Sequence, residues 1–279
     1  MIVVGLLGLG STAIAAPMAP PTIPVINLDD PDSFRTFDGT GNNLLQPELG
    51  AAGESLIRFF PADYDDGSSM SGGDRPNPRE ISNAIGDQTM DMPSTRGLSA
   101  AFWSFGQLLA HDITLVPQST DPDELANILV AGDDFDGLID AIPFRRSIFD
   151  PATGTDAGNP RQQVNEITAF IDASFVYGSD DELAGLLRAN DGSGRLITGP
   201  GNMLPTNGQL DIDDDPANDI LFVAGDPRAN EQLALAAMHT IFLREHNRLA
   251  DYIRQTQPGL SDDEIFQSAR TILAAEMQA

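Results

Sequence analysis

Apolar residues in the last third of the chain recur at helical spacing. After a predicted turn at 225 to 227, those of the segment 221 to 255 lie three, four or seven residues apart, on one face of a helix. They are Leu235, Met238, Phe242, Leu249 and Ile253. Ser261 and Glu264 then form a predicted capping box for a second helix, with apolar positions at Ile265, Ala269, Ile272 and Leu273.

Loops separate the helical segments over much of the chain. The segments 61 to 79, 150 to 163 and 190 to 219 are rich in Gly, Pro, Ser and Asp, which favours surface loops. Ser179 and Glu182 have the spacing of a capping box and predict a short helix. The sequence therefore predicts a mostly α-helical, loop-rich fold.

A third predicted helix, within 102 to 117, carries the first candidate chemistry. Gln107 and His111 are four residues apart and share one helix face, whereas Asp112 lies about 100° further round. An imidazole and a carboxamide would then share one pocket, with a carboxylate at a neighbouring site. The alternative is a core histidine, the commoner role of a single His on an apolar helix.

The segment 165 to 180 places oxygen-bearing groups at every second position. In an extended chain these side chains face one way, and alternate carbonyls can turn toward the same point. The positions are Thr168, Phe170, Asp172 and Ser174. Hydroxyl, carboxylate and carbonyl oxygens are suited to Ca²⁺, and Asp112 would add a second negative charge. The alternative is a half-buried strand with a polar face.

Arg228 and Glu231 follow the predicted turn, at the head of the long helix. They are three residues apart and therefore neighbours on its surface. Taken alone, they predict an ion pair at a helix start.

Three of these segments together resemble the animal-type haem peroxidases, a family that includes secreted bacterial members. They read GQLLAHD at 106 to 112, TAFIDASFVYGSD at 168 to 180 and FVAGDPRANE at 222 to 231, in the family's order. The segment 238 to 250, MHTIFLREHNRLA, is similar to the family's next helix. Stretches in 35 to 53, 77 to 88 and 159 to 163 resemble the bacterial, peroxinectin-like branch. The resemblance covers 35 to 279 and implies the family's helical fold.

The resemblance implies a haem peroxidase that reduces hydrogen peroxide and oxidises a halide or small organic donor. His111 corresponds to the distal histidine above the haem iron, Gln107 lines the cavity beside it, and Arg228 corresponds to the distal arginine. The residue types fit this chemistry. A neutral imidazole can move a proton between the two peroxide oxygens, and a guanidinium stabilises the charge that develops as their bond breaks.

The resemblance also implies one bound Ca²⁺, which would fix the end of the helix that carries His111. Its ligands correspond to Asp112, Thr168, the Phe170 carbonyl, Asp172 and Ser174. The implied cofactor is haem b. Relatives with covalent haem use an Asp before the distal His, where this chain has Ala110, so at most one ester link is available, through Glu231. Gln232 replaces the methionine that a sulfonium link requires.

The other two histidines, His239 and His246, lie on one face of the long helix, and we interpret them as packing or hydrogen-bonding residues. The family's proximal histidine lies further downstream, and the last predicted helix reaches 279 without a closing signal. We therefore expect 35 to 279 to be the N-terminal, distal part of a peroxidase domain. The alternative is a secreted calcium-binding module without redox chemistry.

The amino-acid composition excludes some classes of binding partner and indicates the cellular compartment. The net charge of −27 argues against nucleic acid and anionic membranes as partners, and the absence of Cys excludes disulfides and thiolate haem ligation. Residues 1 to 16 resemble a signal peptide, although a basic start is missing, and 17 to 34 form a Pro-rich linker. The sequence therefore predicts a secreted protein.

Overall fold

A computed structural model describes residues 27, 34 to 70, 75 to 130, 132, 135 to 212 and 217 to 279. The predicted signal peptide lies outside these residues, as does most of the predicted linker.

Helices make up nearly all of the regular secondary structure in the described residues, which confirms the predicted mostly α-helical, loop-rich fold. They are α1 Pro78–Gly86, α2 Ala100–Ile113, α3 Ser174–Tyr177, α4 Asp181–Leu187, α5 Asn207–Leu210, α6 Leu233–Thr256 and α7 Asp262–Gln278. Short 3-10 turns occur at Pro122–Glu124, Pro200–Asn202 and Pro227–Asn230. One antiparallel pair of two-residue strands, β1 Ile128–Leu129 and β2 Ala141–Ile142, aligns Ile128 with Ile142. No helix among the described residues is long and apolar enough to span a membrane.

The core forms where α6 packs against α7 on one side and α2 on the other. The predicted apolar face of α6 is buried except for Met238, which is half-buried, and α7 contributes a matching buried row. That row includes Ile265, Phe266, Ala269 and Leu273. At the start of α7 the predicted capping box is present, since the Ser261 hydroxyl accepts from the Glu264 amide.

The segment 165 to 180 differs from the extended strand that its alternation predicts. It runs through bends to residue 172 and then forms α3. The cause lies in Asp112, whose carboxylate accepts hydrogen bonds from the backbone amides of Asp172, Ala173 and Phe175. A side chain that binds these amides competes with strand pairing, so the backbone curls around the carboxylate.

The start of α4 also differs from prediction. Its cap is Asp180, which accepts from the Leu183 amide, and not Ser179. The Ser179 hydroxyl instead accepts from the Thr168 amide, so it ties α4 to the bent segment.

His239 and His246 both pack inside the core, as predicted. His246 Nε2 lies 3.0 Å from the Gly194 carbonyl and Nδ1 lies 2.9 Å from the Tyr177 hydroxyl. A carbonyl only accepts, so Nε2 carries the proton and the Tyr177 hydroxyl donates to Nδ1. His239 packs edge-on against Phe175. Burial lowers the pKa of each histidine to about 4.

Gly225 lets the segment before α6 lie directly on the α3 backbone. A Cβ at this position would overlap main-chain atoms of Ser174, Tyr177 and Gly178, which cannot move aside as a side chain could. We expect Gly225→Ala to lower the free energy of unfolding by at least about 2 kcal/mol, through overpacking. The matched control is Gly185→Ala in α4, where a Cβ meets no atom within 4 Å. The control should be neutral or stabilising by about 0.5–1 kcal/mol, as measured by urea denaturation.

Candidate functional site

The end of α2 and the turn before α6 bring Gln107, His111, Arg228 and Glu231 to one place. Gln107 Nε2 donates to Glu231 Oε2 at 2.9 Å, and that oxygen lies 3.7 Å from His111 Nε2. Gln232 Nε2 donates to Gln107 Oε1 at 3.0 Å. Hydrogen bonds on both sides therefore hold the Gln107 amide beside the imidazole, as the shared helix face predicts.

Arg228 does not pair with Glu231, so the ion pair predicted from their spacing is wrong. Its Nε and Nη2 donate to the two carboxylate oxygens of Asp226, at 2.9 and 2.7 Å. Asp226 also caps the 3-10 turn by accepting from the Arg228 amide. The turn thus directs the guanidinium back toward Asp226, while Glu231 faces α2.

Arg228 also holds the end of α2. Its Nη2 donates to the Thr114 carbonyl at 2.9 Å and to the His111 carbonyl at 3.4 Å. The last carbonyls of a helix lack partners within the helix and carry partial negative charge. A cation at this point therefore stabilises the turn that contains His111.

The surroundings of His111 favour the neutral form of its imidazole. Burial lowers the pKa of His111 below its ordinary value, and the nearby charge of Arg228 lowers it further. The carboxylates of Asp226 and Glu231 oppose this shift without reversing it. Nδ1 lies 3.8 Å from Asp226 Oδ1, too far for a hydrogen bond, and has no hydrogen-bond partner in the described chain.

Asp112 leaves the other side of α2, as predicted, and enters a second, buried cluster of oxygen groups. The Ser174 hydroxyl lies 3.2 Å from Asp112 Oδ1, and the Thr168 hydroxyl donates to Asp172 Oδ2 at 3.0 Å. The Ser174 amide donates to Asp172 Oδ1, which joins the two pairs. Four of the five predicted calcium ligands therefore meet. The fifth, Phe170, lies between Thr168 and Asp172 in the chain.

The surroundings of the two carboxylates in this cluster stabilise their negative charges only in part. Burial raises the pKa of Asp112 to about 7, and the charge of Asp172 adds to the shift. Burial also raises the pKa of Asp172 to about 6, although the Arg270 charge opposes it. No group of three His, Asp or Glu side chains suited to a metal occurs within the described ranges. A cation at this point would rely on two carboxylates with hydroxyl and carbonyl oxygens, a donor set that fits Ca²⁺.

Two exposed apolar side chains lie on the helices that carry the site. Trp103, one turn before Gln107 on α2, is 54% exposed, and Leu233 at the start of α6 is 90% exposed. Large exposed apolar side chains close in sequence to Gln107 and Glu231 fit a flat, largely apolar group such as haem.

Sequence reasoning missed the residues that support this site. The sequence pattern predicts only a turn at Asp226, although its position two residues before Arg228 is typical of a capping carboxylate. Asn165 binds the backbone on both sides of the α2 end, through the Ile113 carbonyl and the Leu115 amide. No local pattern marks this contact, because the partners are about fifty residues apart in sequence.

Comparisons with known proteins identify relatives over most of this chain. Human eosinophil peroxidase is 33% identical in an alignment of length 297 that covers 88% of this chain and 40% of that protein. The dual oxidase of Drosophila melanogaster is 32% identical in an alignment of length 260 that covers 87% of this chain and 17% of that protein. The chain therefore spans two fifths or less of these relatives.

Two solved structures and one family model also match most of this chain. Peroxidase A from Dictyostelium discoideum superposes with a TM-score of 0.71 at 26% identity, over 88% of this chain and 51% of that one. The fatty acid alpha-dioxygenase of Arabidopsis thaliana, at 19% identity and a TM-score of 0.69, shares the fold. The model of the animal haem peroxidase family matches residues 34 to 279. The chain therefore belongs to the animal haem peroxidase family.

Proposed function

We propose that this chain provides the peroxide-activating, distal side of a haem peroxidase. The observation that carries the proposal is a buried, neutral imidazole at His111, with the fixed charge of Arg228 beside it and the Gln107 amide on the same helix face. Family membership supports it.

In the proposed reaction, His111 moves one proton. It accepts the proton from one oxygen of hydrogen peroxide and returns it to the other, which then leaves as water. Arg228 stabilises the negative charge that develops on the departing oxygen. When bound, haem supplies the iron and the electrons that the oxygen–oxygen bond takes up as it breaks.

Gln107, His111 and Glu231 are the residues that face the haem b in this proposal. Ala110 cannot form an ester, so one link at most is available, through Glu231. In the described structure the Glu231 carboxylate already accepts from Gln107, which favours non-covalent haem. By analogy with the family, the electron donor is a halide or a small organic molecule, and the signal-like segment 1 to 16 supports secretion.

The second part of the proposal is a calcium site formed by Asp112, Thr168, the Phe170 carbonyl, Asp172 and Ser174. Two buried carboxylates with raised pKa values destabilise each other when ionised, and a divalent cation would relieve that repulsion. Because Asp112 directly follows His111, the ion would also fix the turn that holds the proposed proton acceptor.

We expect His111→Ala, in the haem-loaded protein, to slow the reaction with hydrogen peroxide by about 10²- to 10⁴-fold, because the proton acceptor is lost. Haem affinity should change little, since His111 does not ligate iron in this proposal. Arg228→Ala should slow the same reaction by about 10²- to 10³-fold, because the charge that stabilises the departing oxygen is lost. Stopped-flow absorbance at the Soret band measures both rates.

The control is Arg244→Ala, an exposed arginine on α6 that binds carbonyls of the 201 to 202 turn and should leave the rate unchanged. A His111→Ala protein that reacts at the normal rate would contradict the proposed role. If calcium binds but haem titration gives no Soret band, either with this chain or with a protein extended through the downstream proximal histidine, the result would instead favour the calcium-binding module without redox chemistry.

We expect Ca²⁺ to raise the melting temperature of the chain, and Asp172→Asn to remove most of that rise. The substitution keeps the shape of the side chain and removes one of the two charges that bind the ion. Glu182→Gln, an exposed carboxylate on α4, is the matched control and should keep the full rise. Identical melting curves with Ca²⁺ and with chelator would refute the calcium site.

The calcium effect should also depend on pH. In the absence of Ca²⁺ the folded pKa of Asp112, about 7, exceeds its ordinary value of 3.8, so its contribution to stability falls as pH rises through that interval. Ca²⁺ binds the ionised Asp112 carboxylate and restores the stability that is lost as pH rises. We therefore expect a larger rise in melting temperature at about pH 8 than at about pH 5.5. The lowered pKa values of His239 and His246 affect the protein equally with and without Ca²⁺, so they do not contribute to the rise in melting temperature that Ca²⁺ causes.

A further inference from the structure

Asp226 is the buried carboxylate that contacts both proposed catalytic side chains. It is 1% exposed. Oδ1 accepts from the amide and Nε of Arg228, Oδ2 accepts from Nη2, and Oδ1 also lies 3.8 Å from His111 Nδ1. Neither sequence motifs nor the proposed proton transfer assigns this carboxylate a role.

The contacts of Arg228 fix the plane of its guanidinium. Nε and Nη2 are bound by Asp226, and Nη2 also binds the Thr114 carbonyl. Nη1 has no hydrogen-bond partner among the residues that the structure describes. A carboxylate that holds two of three nitrogens leaves the third to bind a ligand.

The two carboxylates near the His111 ring differ in how far they are buried. Asp226 faces Nδ1 from a fully buried position, whereas the Glu231 carboxylate faces Nε2, is about half exposed and already accepts from Gln107. Charges interact more strongly away from water, so Asp226 has the greater influence on where the neutral ring carries its proton. Arg228 donates through Nη2 to the His111 carbonyl, and its positive charge lowers the pKa of the ring without favouring protonation of either nitrogen through a hydrogen bond.

We propose that Asp226 is a positioning residue for both side chains: it orients the Arg228 guanidinium and keeps the proton of His111 on Nδ1. Nε2, on the side of Gln107 and Glu231, is then the unprotonated nitrogen that can accept a proton from peroxide. The catalytic consequence rests on the proposed function, but the position of the proton is measurable in the chain without haem.

The experiment is a two-dimensional proton–nitrogen spectrum of the chain labelled with ¹⁵N-histidine, at neutral pH. His246 provides an internal reference, because the Gly194 carbonyl requires its proton on Nε2. The spectrum of His111→Gln assigns the His111 signals by their disappearance. We expect His111 to show the opposite pattern from His246, with the Nδ1-protonated form in at least about tenfold excess.

Two variants test whether Asp226 is the cause. Asp226→Asn should shift the His111 proton toward Nε2, because the charge that holds it is removed. Glu231→Gln, the other carboxylate near the ring, should leave the proton on Nδ1. A wild-type His111 protonated on Nε2, or one whose spectrum is unchanged in Asp226→Asn, would overturn the proposal.

The wild-type spectrum keeps the test decisive if Asp226→Asn does not fold. A second readout uses the haem-loaded protein and cyanide, which arrives as HCN and must give up its proton on binding. Asp226→Asn should slow cyanide association about 10- to 100-fold, and the effect should vanish in a His111→Ala background. The same slowing in both backgrounds would show that Asp226 acts through Arg228 or the fold and not through His111, which would overturn its proposed role for the His111 proton. An Nδ1-protonated His111 in a protein inert to peroxide would preserve this inference and refute the proposed function.

Discussion

The rest of the site depends on the hydrogen bonds that the buried Asp112 carboxylate accepts. It leaves the last turn of α2 and accepts from three backbone amides of the segment 172 to 175. These contacts join parts of the chain about sixty residues apart. They bend the segment, begin α3 and fix the rotation of α2. With that rotation fixed, His111 can face only the turn before α6.

Three other groups secure the same helix end. Arg228 binds the carbonyls of His111 and Thr114, Asn165 binds the backbone on both sides of Thr114, and Glu231 is tied to Gln107. Each contact engages a backbone group or a side chain of α2, so the imidazole is positioned by rigid elements. Proton transfer needs this kind of preorganisation, because a small displacement of the acceptor costs much of the rate.

The sequence contained enough to predict the features that arise from local periodicity. The buried face of α6, the Ser261 capping box and the shared face of Gln107 and His111 depend on residues a few positions apart, where helical geometry decides. The same geometry separates Asp112 from the face of His111, whereas the contact of Asp112 with residues 172 to 175 joins distant segments.

Features that depend on distant partners could not be read in this way. The alternation in 165 to 180 predicts a strand, but Asp112 captures the amides that a strand would need. The spacing of Arg228 and Glu231 suggests an ion pair, but a 3-10 turn gives Arg228 a nearer partner in Asp226. In both cases a side chain binding the backbone overrides local pattern, and such contacts leave little trace in sequence.

The glycine at 225 gives this arrangement a mechanical property. Because Gly225 lies backbone to backbone on α3, no flexible side chain separates the oxygen cluster from the turn that carries Asp226 and Arg228. A movement of α3 would therefore press directly on the backbone of this turn. Coupling through such a contact would be reciprocal, so an effect of one site on binding at the other would be matched by the same factor in return. Gly225 is the backbone contact through which the two faces of α2 would communicate.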